Sequence, residues 1–203
     1  MTMLTFFLRL NLFLLPFIFL FSACQQVERP VLRGENIICF GDSLTYGTGA
    51  PRDKSYPAQL SQLIGRPVIN SGIPGDTTTK ALQRLDRDVL SQSPRIVLIT
   101  LGGNDFLNGV AAKTAFQNLA LIVKSIQTEG ALVVVGGIKL PFWDRGYDEE
   151  YEKLAHATGA LLIPNILSGI LGKENLMSDT IHPNAAGYAL VARRFHEEIA
   201  PYL

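Results

Sequence analysis

The sequence predicts an α/β protein: a three-layer α/β/α sandwich in which a parallel sheet is covered by helices on both faces. Three observations carry this prediction. Short apolar runs of strand length alternate with segments whose apolar residues recur at helical spacing. The runs are almost wholly apolar, as in strands buried on both faces. A chain of 203 residues, 47% of them apolar, is long enough for one domain with a substantial core.

The first half of the chain predicts three strands and two helices. Asn36–Phe40 is an apolar strand, and Tyr56–Ile64 has helical spacing and is followed by the glycine and proline that commonly end helices. Val68–Asn70 is a short second strand. Thr77–Leu90 places its leucines toward one helical face, and Ile96–Leu101 is a continuous apolar run typical of a central strand.

The second half continues the alternation, because apolar residues at helical spacing are again followed by a glycine and an apolar run. The predicted elements, in order, are a helix over Ala111–Thr128, a strand over Leu132–Val135, a helix over Asp148–Thr158, a strand over Leu161–Ile163, and a last helix that starts at Pro183 or Asn184 and ends at Ile199.

The N-terminus is treated separately, because residues 1–23 read as a signal peptide of the lipoprotein type. Arg9 is their only charge, and Leu10–Ala23 is apolar but too short to span a bilayer comfortably. The run ends in small residues before Cys24, which resembles the lipidation signal of bacterial lipoproteins. An uncleaved membrane anchor and simple secretion are the alternatives. All three predict a folded domain outside the cytoplasm, and the first predicts a lipid anchor at Cys24 in the cell envelope.

Residues 24–35 are polar and read as a tether, which leaves 36–203 as the folded domain. Cys39 lies inside the first apolar run, where a buried small side chain is expected. A Cys24–Cys39 disulfide stays possible only if Cys24 is not lipidated.

Charge and spacing exclude several function classes. Lys+Arg and Asp+Glu both number 18, so a nucleic-acid role has no electrostatic support. Two distant cysteines and three scattered histidines lack metal-ligand spacing. No glycine-rich nucleotide-binding pattern follows the first strand. The sequence therefore predicts no metal and no cofactor.

Four polar clusters remain, and each lies where a loop is predicted. Three of them follow the first three strands, so a parallel sheet would gather them at one edge. The clusters are Gly41-Asp42-Ser43-Leu44, Asn70-Ser71-Gly72, Gly102-Gly103-Asn104-Asp105 and Asp179-Thr180-Ile181-His182-Pro183-Asn184. A hydroxyl, an imidazole, a carboxylate and amide donors are the parts that acyl transfer needs.

In these clusters the chain resembles the GDSL esterase/lipase family, also called SGNH hydrolases. The four clusters match those of the family in order and spacing, and the resemblance covers the chain from about Asn36 to Ala200. Within it the chain looks most like small bacterial enzymes of the lysophospholipase, thioesterase and arylesterase type. The resemblance implies a flavodoxin-like fold with a five-stranded parallel sheet and no required metal.

Residue chemistry and the resemblance agree on a Ser-His-Asp triad. Ser43 is the predicted nucleophile, and it needs an adjacent base. His182 is the predicted base, because His156 and His196 lie inside predicted helices while His182 precedes a proline and is held in a loop. Asp179 is close enough in sequence to orient the imidazole, although a backbone carbonyl could also serve.

The resemblance assigns the oxyanion donors to the backbone N–H groups of Ser43 and Gly72 and to the side-chain amide of Asn104. Glycine allows close backbone approach and asparagine donates without charge. Apolar loop residues could line an acyl channel or pack on the core. The candidates for substrate binding are Ile73, Phe106 and Trp143.

The resulting prediction is an envelope esterase that cleaves acyl esters or thioesters through an acyl-Ser43 intermediate. A carbohydrate O-acetylesterase is the alternative enzyme, acting on acetylated glycans. An envelope lipoprotein that binds glycan or lipid without catalysis is the alternative from another class.

Overall fold

A computed structural model describes residues 31–139 and 146–203. Its strands are β1 (Asn36–Gly41), β2 (Val68–Gly72), β3 (Pro94–Thr100), β4 (Leu132–Gly136) and β5 (Leu161–Ile163). They form one parallel sheet in the order β2-β1-β3-β4-β5. The predicted α/β fold with a flavodoxin-like strand order is therefore confirmed. The predicted signal peptide, Cys24 and Trp143 lie outside the described residues.

Five of the helices lie within two residues of their predicted bounds. Two others, of four and five residues, were not predicted, because a single helical turn shows no periodicity in the sequence. The helices are α1 (Ser43–Tyr46), α2 (Tyr56–Ile64), α3 (Thr78–Asp88), α4 (Gly103–Leu107), α5 (Ala112–Thr128), α6 (Tyr147–Thr158) and α7 (Ala185–Ile199). Across residues 31–139 and 146–203, none of the helices has the length and apolar character that a membrane span requires.

Each face of the sheet carries its own apolar core. In β1, Ile38 and Phe40 pack with α3, α5 and α6, whereas Ile37 and Cys39 pack on the opposite face with α2 and α7. This alternation follows from the two-residue period of a strand. The Cys39 thiol is free and fully buried, and desolvation raises its pKa, so it serves as a small core residue.

The strand order reverses at β1, which places a crevice beyond the carboxyl ends of β1 and β3. Gly41, the last residue of β1, lies in register with Gly72 of β2 and Thr100 of β3, so the three strands end level with one another. Helices α1 and α4 leave from this edge directly after β1 and β3. The loops of the first three polar clusters are therefore adjacent in space.

Candidate active site

Ser43 is the first residue of α1, immediately beyond β1. The Asp42 side chain caps this helix, its Oδ1 accepting a hydrogen bond of 3.0 Å from the Leu44 N–H. A Cβ at Gly41 would come within 2.2 Å of Thr45 Oγ1 and 2.5 Å of the Thr100 carbonyl oxygen, so only glycine allows this tight strand-to-helix turn. The Ser43 N–H, first in its helix, has no intrahelical acceptor.

A loop before α7 holds His182. The Asp179 Oδ1 accepts the Ile181 N–H at 2.9 Å and the His182 N–H at 2.8 Å, and the His182 carbonyl accepts the Ser178 N–H at 2.8 Å. Asn184 then caps α7, its Oδ1 accepting the N–H groups of the first helical turn. These bonds fix the loop backbone on both sides of the imidazole.

The three predicted triad residues form one hydrogen-bonded chain. Asp179 Oδ2 lies 2.7 Å from His182 Nδ1, and His182 Nε2 lies 3.0 Å from Ser43 Oγ. An ionised carboxylate only accepts hydrogen bonds, so a neutral imidazole carries its proton on Nδ1. Nε2 is then the acceptor that faces the Ser43 hydroxyl. This arrangement suits removal of a proton from Ser43.

Asp179 is ionised at neutral pH. Partial burial acts to raise its pKa, but the hydrogen bonds from the Ile181 N–H and from His182 outweigh that effect and lower the pKa below its usual value. The side chain is half exposed, so solvent screens its attraction for an imidazolium. The carboxylate therefore acts on His182 chiefly through orientation of the ring.

Asn104 stands on α4, just beyond β3. Its Nδ2 donates to Asp42 Oδ2 at 3.1 Å and to the Asp76 carbonyl oxygen at 2.9 Å, which uses both hydrogens of the amide. The next residue, Asp105, is fully buried and accepts both the N–H and the hydroxyl of Thr78. Asp42 and Asp105 thus brace the loops around the crevice.

The Asp42 carboxyl is buried, and it contacts the site through the hydrogen bond that it accepts from Asn104. Desolvation raises its pKa to about 7; the hydrogen bond from the Leu44 N–H opposes this shift, and the neighbouring carboxylates of Asp76 and Asp105 add to it. In an unfolded chain the same carboxyl ionises near its usual pKa of about 3.9. Between these values the folded state holds a proton that the unfolded state has released.

We expect the folded protein to lose stability through Asp42 as pH rises from about 4 to about 8, because the unfolded state binds fewer protons in that range. Asp42→Asn removes this titration and keeps a side chain that can cap α1. Relative to wild type, the free energy of unfolding of the variant should therefore rise by a few kcal/mol between pH 4 and pH 8. Urea denaturation at several pH values measures it.

Asp86→Asn is the matched control, because Asp86 is an exposed carboxyl on α3. This exposed substitution should change the free energy of unfolding by about 0.5 kcal/mol or less. Parallel stability curves for wild type and Asp42→Asn would show that Asp42 ionises at the same pH in the folded and unfolded states.

The structure does not support Gly72 as an oxyanion donor. Its N–H donates to Asn70 Oδ1 at 3.0 Å, and a Cβ at this position would come within 2.2 Å of the Tyr46 nitrogen. Glycine is therefore needed here for close packing between β2 and α1. The sequence could not separate this role from a catalytic one, since both favour glycine at the end of a strand.

A small apolar cleft of about 40 Å³ opens beside the Ser43 hydroxyl. Phe106 does not line this cleft, so the hypothesis that it binds the acyl chain is not supported. The Phe106 side chain is only 7% exposed, and its ring packs edge-on against Tyr147 in the core. Ile73 is exposed after β2 but does not line the cleft either. The apolar lining residues are Leu44, Leu107, Ile138, Leu167 and Ile181.

Sequence patterns gave little signal for these lining residues. Leu107 adjoins Phe106, and only the rotation of α4 decides which of the two side chains faces the crevice. Within the described part of the chain, no group of three or more His, Cys, Asp or Glu side chains is arranged to hold a metal ion.

Comparisons with known proteins identify related sequences and structures. The chain matches the GDSL-like Lipase/Acylhydrolase family over residues 39–190. It is 33% identical to an arylesterase of Vibrio mimicus, over 96% of this chain and 100% of that protein. It is 30% identical to the thioesterase 1/protease 1/lysophospholipase L1 of Escherichia coli K12, over 92% of each chain. A crystal structure of TesA superimposes with a TM-score of 0.79 at 29% identity, over 83% of this chain and 100% of that one.

Proposed function

The chain belongs to the GDSL-like lipase/acylhydrolase family and is a serine esterase, and on that premise we propose that Ser43, His182 and Asp179 carry out its reaction. The single observation behind this proposal is the chain of hydrogen bonds from Asp179 through His182 to Ser43 at the mouth of an apolar cleft. No other serine in the described residues has a histidine ring nitrogen within hydrogen-bond distance of its hydroxyl.

The reaction follows from that geometry. Ser43 Oγ attacks the ester carbonyl carbon while His182 Nε2 accepts the hydroxyl proton. The imidazolium then gives this proton to the departing alcohol or thiol, which leaves an acyl-Ser43 ester. A water molecule, deprotonated by the same imidazole, attacks that ester. The imidazolium then returns the proton to Ser43 Oγ as the acyl–oxygen bond breaks and the acid leaves. Asp179 holds the ring orientation in both half-reactions.

The negative oxygen of each tetrahedral intermediate needs donors beside Ser43. We assign the Ser43 N–H and the Asn104 amide to this role, the Asn104 hydrogen now held by Asp42 Oδ2 turning to the substrate oxygen. In place of Gly72 we assign Gly75. Its N–H donates to no acceptor among the described residues, and the next residue, Asp76, contacts Asn104 through its carbonyl oxygen.

Asn104→Ala should lower kcat by about 10²–10³-fold, which is the usual cost of losing one oxyanion donor. KM should change little, because the donor acts on charge that develops only in the transition state. Steady-state kinetics on a p-nitrophenyl ester measures both constants. Unchanged turnover in the purified, folded variant would remove Asn104 from the oxyanion site.

The lining of the cleft favours an acyl chain over a polar sugar. Five aliphatic side chains surround the space beside Ser43, and the polar side chains that line it are those of the proposed catalytic residues and Asp42. Two relatives support acyl ester or thioester substrates: one is named an arylesterase, and the other a thioesterase 1/protease 1/lysophospholipase L1. We therefore propose a small-molecule ester or thioester with an aliphatic acyl group.

A panel of p-nitrophenyl acetate, butyrate and octanoate, an octanoyl thioester and acetylated xylan tests this proposal. We expect kcat/KM to rise from acetate to octanoate, by about fourfold per methylene that enters the cleft, since each buried methylene contributes about 0.8 kcal/mol. Preference for acetate and acetylated xylan would instead identify an O-acetylesterase.

Leu107→Ala should reduce the preference for octanoate over acetate, because Leu107 lines the cleft. Leu121→Ala is the matched control: both leucines are about half exposed, but Leu121 lies on α5 and does not line the cleft. Equal chain-length profiles for Leu107→Ala and wild type would place the acyl group elsewhere.

We also propose that the protein is a lipoprotein of the cell envelope, anchored through acyl chains on Cys24. The support is the sequence of residues 1–24, an apolar run that ends in small residues and a cysteine. Mass spectrometry of the mature protein from a bacterial host tests it. The expected N-terminal peptide begins at an acylated Cys24; an unmodified Cys24 or an intact residue 1 contradicts the proposal.

A further inference from the structure

A buried arginine on α3 has no part in the triad. The Arg84 side chain is only 8% exposed, and its Nε donates to Asp76 Oδ2 at 2.6 Å while Nη1 donates to Asp88 Oδ2 at 2.9 Å. Asp76 lies in the loop between β2 and α3. Because breaking a buried ion pair leaves a costly unpaired charge, this contact holds the loop firmly against the helix.

The remaining donors of Arg84 reach the ends of two strands. Nη2 donates to the Gly41 carbonyl oxygen of β1 at 2.9 Å, and Nη1 also donates to the Ser71 carbonyl oxygen of β2 at 3.0 Å. The guanidinium lies over the Phe40 ring, 4.4 Å from its centroid. A planar fork with five donors can make these contacts together, which a lysine ammonium cannot.

The segments that Arg84 joins are those that carry the proposed oxyanion donors. Gly41 is two residues before Ser43, whose N–H is one donor. Asp76 follows Gly75, the proposed second donor, and the Asp76 carbonyl oxygen accepts a hydrogen bond from the amide of Asn104, the third. One side chain therefore links the positions of all three donors.

We propose that Arg84, through its ion pair with Asp76, is a positioning residue for the oxyanion donors of this esterase. The inference rests on the proposed function of Ser43 and Asn104. Oxyanion stabilisation depends on donors held in place before charge develops, and a displacement of about 1 Å can cost about 10²-fold in rate. Neither Arg84 nor Asp76 lines the apolar cleft, so substrate binding in the ground state should not depend on them.

Two variants test the proposal. Arg84→Lys keeps the charge but loses the fork, and Asp76→Asn keeps the shape of the loop residue but removes its charge. We expect each to lower kcat on p-nitrophenyl butyrate by about 10- to 100-fold, with KM within about twofold of wild type. The rate of labelling by a fluorophosphonate should fall in parallel. The shape of the pH–rate profile should stay unchanged, since His182 is not displaced.

Arg87→Met is the matched control. Arg87 is the other arginine of α3, pairs with the same Asp88, and is 74% exposed without reaching the strand ends. It should keep wild-type kinetics. Thermal denaturation measures the melting midpoint of every variant, and all assays are run well below these temperatures, so that only folded protein is compared.

The outcomes distinguish the positioning role of Arg84 from the proposed function of Ser43. Wild-type kcat in folded Arg84→Lys and Asp76→Asn would overturn the positioning role and leave Arg84 a purely structural residue. A rise in KM at constant kcat would overturn it as well, because that pattern belongs to substrate binding. If Arg84→Lys does not fold, Asp76→Asn decides. Wild-type protein that is never labelled at Ser43 would instead refute the proposed function itself.

Discussion

Ser43→Ala should lower kcat by at least about 10⁴-fold while the protein stays folded. The Ser43 hydroxyl is the proposed nucleophile, and among the described residues its hydrogen-bond partner is His182. Its removal should therefore leave stability nearly unchanged. The measurements are the initial burst and the steady-state rate with p-nitrophenyl butyrate, together with covalent labelling by a fluorophosphonate and location of the labelled peptide.

Ser61→Ala serves as the control for this variant. Ser61 lies on α2, where its hydroxyl donates to the Arg66 carbonyl oxygen and has no histidine beside it. It should retain the burst, the steady-state rate and the label. A Ser43→Ala protein that still shows a burst or takes up the fluorophosphonate at one site would refute an acyl-Ser43 intermediate, and the reaction would need another nucleophile.

His182→Ala should reduce kcat/KM about as severely as Ser43→Ala, because a serine hydroxyl without a base is a weak nucleophile. The 3.0 Å contact between Nε2 and Ser43 Oγ is the only route by which an imidazole reaches that proton among the described residues. Added imidazole should restore part of the rate.

His156→Ala is the matched control, since His156 lies exposed on α6 and makes no contact with the triad. Its kinetics and pH profile should equal those of wild type. If His182→Ala kept wild-type turnover, some other group would be acting as the base, and the tautomer inferred from the bond to Asp179 would have no role in catalysis.

The chemistry proposed for Asn104 is coupled to the buried carboxyl of Asp42. The Asn104 amide already gives one hydrogen to Asp42 Oδ2, so an oxyanion in the cleft must compete with a carboxylate at neutral pH and above. The same carboxyl caps α1 and thus fixes the Ser43 N–H. Asp42 therefore sets the geometry of two proposed donors. Its own ionised carboxylate, however, lies buried next to the proposed site of reaction.

Much of the fold could be predicted because its signals are local. Apolar runs and helical spacing identified all five strands and five of the seven helices in the described residues. The predicted start of α7 at Pro183 or Asn184 is close to the structure, since Asn184 is its cap. The resemblance to GDSL hydrolases is confirmed by the match over residues 39–190.

The unpredicted helices α1 and α4 are the ones that carry Ser43 and Asn104. Both are single turns, and α4 begins after Gly102. The φ of Gly102 is 114°, which favours glycine, and a Cβ at this position would come within 2.5 Å of the Tyr151 hydroxyl oxygen. A hydrophobic period cannot be read over four or five residues. Sequence reasoning therefore placed these side chains on loops, although it predicted the correct edge of the sheet.

The strands, the longer helices and the polar clusters beyond the strands could all be predicted, because each shows as a pattern among residues a few positions apart in the chain. Three features could be found only in the folded protein: Leu107 rather than Phe106 faces the cleft, the Gly72 N–H is already hydrogen-bonded, and Arg84 joins two strand ends to the loop at Asp76. These outcomes depend on how elements distant in sequence pack and on which donors find acceptors, and no local pattern encodes either.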